Sequence, residues 1–430
     1  RASVLVDMSR RPEAIALLDP LRAQLSARHD RTGIAGLVLL GDALLHQGRI
    51  DEGLGLTRRA VAIAQAQAGD MPDEFLAASI DEASQLMDAR RFKEALERSD
   101  ATLALWHRQG EPPSQRIIDL YENTAVAAEA SGDIPRAERA YKEAIALGDR
   151  YFDKSNPETA WAVGLYGTFL IAQGRLDEAE PYARRGLEMR RSVFGDADPH
   201  TLSAVAGMCK LYVARRDFPA AIDWCTQGVD TCHAHSIDDV ICPRLLAIRG
   251  RSYALQGRFG DADSDLREAL DVQRAHTGES TPSYAYILDN LAVVQLAEHH
   301  YGQALATTDR ILAINRAARG GMLQADLGTR LHRAEALFEL ERNEEALAEI
   351  LEIEPVYSRL FPRGLSRFGM LALKARALAH AGRADAARDA ARQALEVASQ
   401  PRKYDAGTLD ELHRLADSDF AKPPVAADPH

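Results

Sequence analysis

The sequence predicts an all-α fold, a right-handed α-solenoid of stacked helix-turn-helix repeats. Three observations support this prediction: a turn motif that recurs about every 42 residues, apolar residues at helical spacing on both sides of it, and prolines between the repeats. A fixed period of this size is typical of stacked units that pack mainly on their neighbours. The 430 residues, 46% apolar and 27% charged, have the composition of a folded protein.

The turn motif is clearest as Gly-Arg-Ile-Asp-Glu-Gly at 48–53 and Gly-Arg-Leu-Asp-Glu-Ala at 174–179. Aligned on its last residue, which is always small, it occurs ten times at spacings of 39 to 42 residues. The aligned residues are Ala14, Gly53, Ala95, Ala137, Ala179, Ala221, Ala262, Ala304, Ala346 and Ala387. We take this column as the register of the whole chain.

Residues 157–191 show why each repeat is a helical hairpin. Pro157 suits a first helical turn, because its missing N–H has no partner there. Gly174 ends the first helix, since glycine tolerates the left-handed conformation found after helices. Asp177 and Glu178 begin the second helix, where acidic groups meet the free N–H donors.

A second column of small residues lies twelve positions before the first. Its members are Ala2, Gly41, Ala83, Ala125, Gly167, Cys209, Gly250, Ala292, Ala334 and Ala375. Small side chains at facing positions allow two antiparallel helices to approach closely. We therefore expect the two columns to form the seam of each hairpin.

The register divides the chain into a truncated first repeat at 1–30, nine hairpins over 31–400, a capping helix at 401–419 and a disordered tail at 420–430. A first helix begins about 18 residues before its aligned small residue, which for Ala14 precedes Arg1. We therefore expect part of the natural protein to lie upstream of Arg1.

The turn motif, the two small columns and the connection Phe-Gly-Asp-Ala-Asp-Pro-His-Thr at 194–201 resemble the tetratricopeptide repeat. The 42-residue period resembles the form in kinesin light chains and bacterial regulatory proteins. The resemblance covers about residues 1–400. Similar arrays form the C-terminal parts of bacterial serine/threonine kinases and winged-helix regulators. The resemblance therefore implies a binding module, with any catalytic activity in an upstream domain.

The resemblance also implies a concave groove, lined by the first helices, that holds a peptide. Its N-terminal positions are acidic (Asp42, Asp88, Asp119, Glu122 and Glu129), and its middle positions are basic with two aromatics (Trp161, Lys210, Arg244, Arg251 and Tyr286). The C-terminal positions are mixed: Asp289, Glu335, Phe338, Glu339, Arg376 and His380.

The predicted peptide site comprises Trp161, Lys210, Arg244, Arg251, Tyr286, Asp289 and Glu122. Arginines here would pair with carboxylates or phosphates, and the aromatics would anchor apolar side chains. The alternative is a solvated face whose aromatics pack between repeats. The partner would be a protein or peptide with an acidic or phosphorylated segment.

Other chemistry finds little support in the sequence. The net charge of −12 argues against a nucleic-acid partner, and no nucleotide-binding or catalytic motif occurs. A group of residues between 225 and 242 could bind zinc: Cys225, Cys232, His233, His235, Asp238, Asp239 and Cys242. Cys225 and the seam residue Cys209, however, fit packing positions better. A disulfide between Cys232 and Cys242 stays open. We expect no metal or other cofactor.

We therefore expect a protein- or peptide-binding scaffold or sensor, bacterial and linked to a kinase. The alternative is the ligand-responsive sensor arm of a transcriptional regulator. We expect a cytoplasmic protein without direct membrane contact, unless a membrane span precedes Arg1. The oligomeric state is left open.

Overall fold

The structure, a computed structural model, describes residues 10–67, 71–153, 156–237, 239–319, 326–362, 364–398 and 404–417. These ranges contain helices and no strand, which confirms the predicted all-α class. Ala2 and the expected tail at 420–430 lie outside the described residues.

The first helices in chain order are α1 (Arg11–Leu18), α2 (Arg22–Ala27), α3 (Arg31–His46), α4 (Ile50–Ala66), α5 (Pro72–Asp88), α6 (Phe92–Arg108) and α7 (Gln115–Ser131). They are followed by α8 (Ile134–Tyr151), α9 (Pro157–Ala172), α10 (Leu176–Phe194), α11 (Pro199–Ala214), α12 (Phe218–His235), α13 (Ile241–Ala254) and α14 (Phe259–Thr277). The last are α15 (Pro282–Ala297), α16 (Tyr301–Arg319), α17 (Leu327–Glu339), α18 (Asn343–Leu360), α19 (Leu365–His380), α20 (Ala384–Val397) and α21 (Ala406–Asp417). A 3-10 turn, Asp19–Leu21, separates α1 from α2 at Pro20.

The helices form two compact units, Arg1–Leu165 (unit 1) and Tyr166–His430 (unit 2). From α3 onward, odd-numbered helices up to α19 are the first helices of hairpins. In unit 1, α3 packs on α5 and α5 on α7; in unit 2, α11, α13, α15, α17 and α19 pack on one another in sequence. Each unit therefore has an inner layer of first helices, while α21 packs on the last hairpin of unit 2.

The repeat turn requires a left-handed residue in every hairpin from α3–α4 to α19–α20. Five of the nine turns use glycine, with φ between 72° and 85°, and four use another residue at φ 58° to 62°. The residues are Gly48, Arg90, Gly132, Gly174, Arg216, Gly257, His299, Glu341 and Gly382. Because the geometry persists where glycine does not, the turn is imposed by the packing of the hairpin as well as by local preference.

The two small columns meet at the seam between the helices of a hairpin. A Cβ atom on Gly41 would lie 2.8 Å from the carbonyl oxygen of Gly53, and one on Gly250 would lie 3.1 Å from the carbonyl oxygen of Ala262. The seam alanines, such as Ala83 and Ala292, are fully buried. These contacts agree with the expected close approach.

The arginine of the turn motif pairs with the acid three residues later. Arg49 reaches Glu52 at 2.7 Å, and Arg175 reaches Glu178 at 2.6 Å. Arg258–Asp261 and Arg342–Glu345 repeat the same pair at 2.7 Å. The recurring Arg-x-x-acid pattern thus stabilises the start of the second helix locally.

Among the described helices, none combines the length and the apolarity needed to cross a membrane.

Candidate functional site

Unit 2 encloses a cavity of about 950 Å³ on the inner side of its first helices. One residue from each of five successive first helices lines it: Lys210, Arg251, Tyr286, Glu335 and Arg376. The volume lies within the range of roughly 300–1,000 Å³ that is typical of ligand pockets.

Tyr286, on α15, lies beside two cations, and a third, Arg251, lines the same cavity; we call Lys210, Arg244 and Arg251 the cation cluster. The guanidinium carbon of Arg244 lies 5.0 Å from its ring centroid, and Nζ of Lys210 lies 5.5 Å away on α11. Arg251 lies seven residues, about two helical turns, beyond Arg244 on α13. The Nε atoms of both arginines are buried without a hydrogen-bond partner.

None of these three cations forms an ion pair with a residue in the described ranges. Most other arginines of unit 2 are paired. Arg249, for example, contacts Asp265 at 2.7 Å, and Arg330 contacts Glu352 at 2.6 Å. In the cation cluster, by contrast, three positive charges at one cavity lack an ion-pair partner among the described residues.

Asp289, also on α15, borders the cluster and has protein partners. Its Oδ1 accepts a hydrogen bond from the hydroxyl of Thr329 at 2.9 Å and lies 3.2 Å from Nδ1 of His332. Burial opposes the ionisation of Asp289, but His332, the charge of Arg251 and Thr329 outweigh it and lower its pKa to about 2. Asp289 is thus a fixed negative charge beside the cluster.

Glu335, on α17, also faces the cavity. Burial and the neighbouring Glu339 raise the pKa of Glu335, against the opposing charges of His332, Arg376 and Arg251. Arg376 is paired with Glu339 at 3.2 Å and lies over the ring of Phe338. The cavity therefore has a cationic side and a mixed side.

The two ends of the inner layer of unit 2 meet at the rim of the cavity. The side-chain amide of Gln173 donates to the carbonyl oxygen of Leu360 at 3.1 Å, across 187 residues of sequence. A Cβ atom on Gly364, whose φ is +88°, would lie 3.1 Å from the Cα atom of Gly174. We call this contact, between residues 173–174 and 360–364, the closure.

Unit 1 contains the other two predicted site residues. Glu122, on α7, is 8% exposed, and Trp161, on α9, is 40% exposed. The structure therefore brings five of the seven predicted residues together in unit 2, and these two lie in unit 1.

The inner face of unit 1 carries carboxylates on neighbouring first helices. Burial raises the pKa values of Asp81 and Asp88 on α5, and the nearby charge of Asp42 adds to both shifts. On α7, burial and the charge of Glu158 raise the pKa of Asp119 to about 6. Asp42 therefore repels Asp81 and Asp88, and Glu158 repels Asp119, while Arg116 pairs with Asp81.

One group in unit 1 has the composition of a metal site. Asp42, His46 and Asp88 place their candidate ligand atoms within 4.8 Å of one another, and no other such set occurs among the described residues. Nδ1 of His46 lies 3.3 Å from Asp42, and Arg11 lies 3.6 Å from the same carboxylate. Arg11 thus already neutralises part of the charge.

The cysteines depart from the packing interpretation. Cys209 and Cys225 are fully buried, as expected, but they are bonded to each other across α11 and α12, with Cα atoms 5.7 Å apart. The small seam residues bring the two helices close enough for this pairing. Cys232 and Cys242, left open by the sequence, form a disulfide between α12 and α13. Asp238, which the sequence groups with these cysteines, lies outside the described residues.

Sequence reasoning missed His332, Asp81 and the closure. His332 and Asp81 each lie one position from a predicted groove column, so a wider stripe on each first helix would have included them. The closure has no sequence signal, because it depends on the summed rotation of all the hairpins between residues 174 and 360.

Comparisons with known proteins agree with this architecture. The model of the family described as the MalT-like TPR region matches residues 82–354, more than half of the chain. A search of the curated proteins found no match to this chain in sequence.

Three solved structures are similar. The apo form of RapI has a TM-score of 0.53 at 11% identity and covers 86% of this chain and 98% of its own. A Rap protein complexed with Competence and Sporulation Factor has a TM-score of 0.52 at 12% identity, covering 89% and 99%. A tetratricopeptide repeat protein from Parabacteroides merdae has a TM-score of 0.40 at 17% identity, covering 70% and 99%. At these identities the likeness concerns the fold.

Proposed function

Because this chain belongs to the MalT-like TPR region family, we propose that it is a binding scaffold or sensor whose unit 2 cavity holds an anionic segment of a protein or peptide. The segment would carry carboxylate or phosphate groups. In this proposal the repeats bind and position a partner, and chemistry belongs to whatever domain they serve.

The observation that carries the proposal is the cation cluster. Lys210 and Arg244 lie over the ring of Tyr286 and Arg251 lines the same cavity, and none of the three forms an ion pair with a carboxylate in the described ranges. Buried charges are normally paired, because an isolated charge loses its hydration without compensation. An anionic ligand would supply the missing partner, and guanidinium groups match carboxylate and phosphate geometry well.

Tyr286 adds a contact surface of a different kind. Its half-buried ring lies beneath two cations and lines the cavity, so it can pack against the apolar part of a ligand. Asp289 stands next to it as a fixed negative charge, which would disfavour ligands with a second anionic group at that point.

The resemblance to the repeat arrays of bacterial regulatory proteins suggests the kind of protein to which this array belongs. We place the array in a bacterial regulatory protein, downstream of a serine/threonine kinase domain that it would supply with substrates. The cytoplasm suits this role.

The closure favours a second candidate, the sensor arm of a transcriptional regulator. A ligand that binds the cavity better when Gln173 contacts Leu360 would shift the molecule towards that state. A Rap neighbour in fold was solved with Competence and Sporulation Factor, which is consistent with a signalling ligand on such an array. Small-angle scattering with and without a bound peptide tests this candidate: a change in the profile supports it, and an unchanged profile contradicts it.

The test of the main proposal reverses two charges in the cluster. Glutamate-rich and phosphoserine peptides are titrated against the full chain by fluorescence polarisation. The double variant Arg244→Glu, Arg251→Glu should bind at least about thirtyfold more weakly, since losing a buried charge pair costs roughly 2–5 kcal/mol.

The matched control is Arg316→Glu with Arg359→Glu. Both arginines are exposed and neither lines the cavity, and the double variant changes the net charge by the same amount. If the cluster variant binds the peptides as tightly as the wild type, the cluster is not the site. The same conclusion follows if the control variant loses as much affinity as the cluster variant.

A further inference from the structure

Glu335 is a carboxylate of the cavity that no residue in the described ranges neutralises directly. It lines the cavity on α17, and it makes no hydrogen bond or ion pair with a residue in the described parts of the chain. Its two acidic neighbours on the inner layer differ: Asp289 is bonded to Thr329, and Glu339 to Arg376. Glu335 therefore stands out among the acids around the cavity.

Glu335 and the cation cluster belong to one space. Glu335 lines the same cavity as Lys210 and Arg251, and the positive charge of Arg251 reaches Glu335 as well as Asp289. Arg251 nevertheless lies beyond ion-pair distance of Glu335, so neither charge satisfies the other. The cavity thus presents unpaired charges of both signs to whatever enters it.

A purely anionic ligand would neutralise the cations and leave Glu335 without a partner. It would pair with Lys210, Arg244 and Arg251 but would add to the repulsion that Glu339 already exerts on Glu335. A ligand with a cationic group beside its anionic group would relieve both, because each unpaired charge would gain a partner.

We infer that the cavity binds a zwitterionic peptide segment, with its carboxylate or phosphate on the cation cluster and an ammonium group on Glu335. This inference rests on the proposed function and specifies the ligand class of the same site. The ammonium group could come from a lysine side chain or from a free amino terminus, and the two sources share the same chemistry.

The experiment compares matched peptides on the full chain. Labelled, amino-terminally acetylated peptides carry one phosphoserine and one lysine, separated by zero to three alanines. Partner peptides replace the lysine with glutamine, and a further set removes the acetyl group from the glutamine peptides to free the amino terminus.

The wild type should bind the best lysine or free-amine peptide about tenfold more tightly than its acetylated glutamine partner, as expected for one partly buried ion pair. Glu335→Gln should remove that gain without weakening the acetylated glutamine peptide. Glu335→Asp keeps the charge and should retain part of the gain. Glu341→Gln, an exposed carboxylate just beyond α17, should leave the gain intact.

The outcomes separate the inference from the proposed function. If the acetylated glutamine peptide binds but the ammonium group adds nothing at any spacing, the inference is wrong and the anion site stands. The inference is also wrong, and the anion site stands, if Glu335→Gln melts at the same temperature as the wild type and still binds the ammonium-bearing peptide more tightly than its acetylated glutamine partner. If no phosphoserine peptide binds the wild type, the proposed function itself fails.

Discussion

Units 1 and 2 are built from the same repeat, but their inner surfaces carry charges of opposite sign. The left-handed turn recurs in both, at Gly48 and at Gly257, and so do the small seam residues. On the inner layer, however, unit 1 gathers carboxylates such as Asp81 and Asp119, while unit 2 gathers cations around Tyr286. The comparison shows that the repeat fixes where groove residues lie and leaves their chemistry free to vary.

The two units also differ in the reach of their contacts. In unit 1, a side-chain hydrogen bond such as that from Gln85 to the carbonyl oxygen of Val38 reaches the next repeat, 47 residues away. In unit 2, the closure joins residues 187 positions apart. Unit 2 therefore depends on a contact that stacking of neighbours alone does not supply.

The largest expected effect comes from the closure itself. Gly364→Val should destabilise unit 2 by about 2–4 kcal/mol, because a β-branched residue is strained at φ +88° and its Cβ atom would press on Gly174. Urea unfolding followed by circular dichroism measures the loss.

Its control is Gly382→Val, at φ +72°, where no atom lies within 4 Å of the added Cβ atom. This variant carries the backbone strain without the contact and should lose less stability. Equal losses in the two variants would mean that the closure contributes nothing to stability.

The next largest effect is expected at the seam between the two helices of a hairpin, which occurs in both units. Ala292→Phe should cost about 1–3 kcal/mol, since a large side chain at a fully buried seam position overpacks the hairpin. A thermal melt measures it, with Ala318→Phe on the exposed side of α16 as the control. An unchanged melting temperature for Ala292→Phe would contradict the register.

The smallest effect concerns the acidic face of unit 1. The pKa of Asp119 is raised to about 6 by burial and by Glu158, so the folded state holds its proton more tightly than the unfolded state does. Its contribution to stability is therefore present at pH 4 and is lost as the pH rises through 6. Asp119→Asn should be more stable than the wild type at pH 8, by about 1 kcal/mol after allowance for solvent exposure, and equally stable at pH 4.

Glu97→Gln removes an exposed carboxylate of unit 1 and serves as the control. Urea unfolding at both pH values gives the comparison. A stabilisation of Asp119→Asn that is the same at pH 4 and pH 8 would rule out the titration of this group as its cause.

The periodic part of the molecule could be predicted from the sequence. The turn glycines, the small columns and the helix starts at Pro157 and Pro199 are local signals, and the structure has helices where they predict them. The register also placed Lys210, Arg251 and Tyr286 on the inner layer, because groove positions follow from the period once the fold is known.

The remaining features depend on distances that a period does not encode. The cysteine pairs require the actual approach of neighbouring helices, which the sequence indicated only as a close seam. Trp161 and Glu122 belong to unit 1 and the other five site residues to unit 2, because the boundary between the two compact units falls at Leu165. The closure requires the sum of many small rotations between hairpins, and each of them is set by side-chain packing.

The closure changes how unit 2 should fold. A linear array is a one-dimensional system in which terminal repeats can fray independently of the middle. The contact between residues 173–174 and 360–364 makes the stability of the first hairpin of unit 2 depend on that of a hairpin near its end. Fraying at either end must then break the same bond, so the intervening helices should lose hydrogen-exchange protection together, as a single cooperative unit.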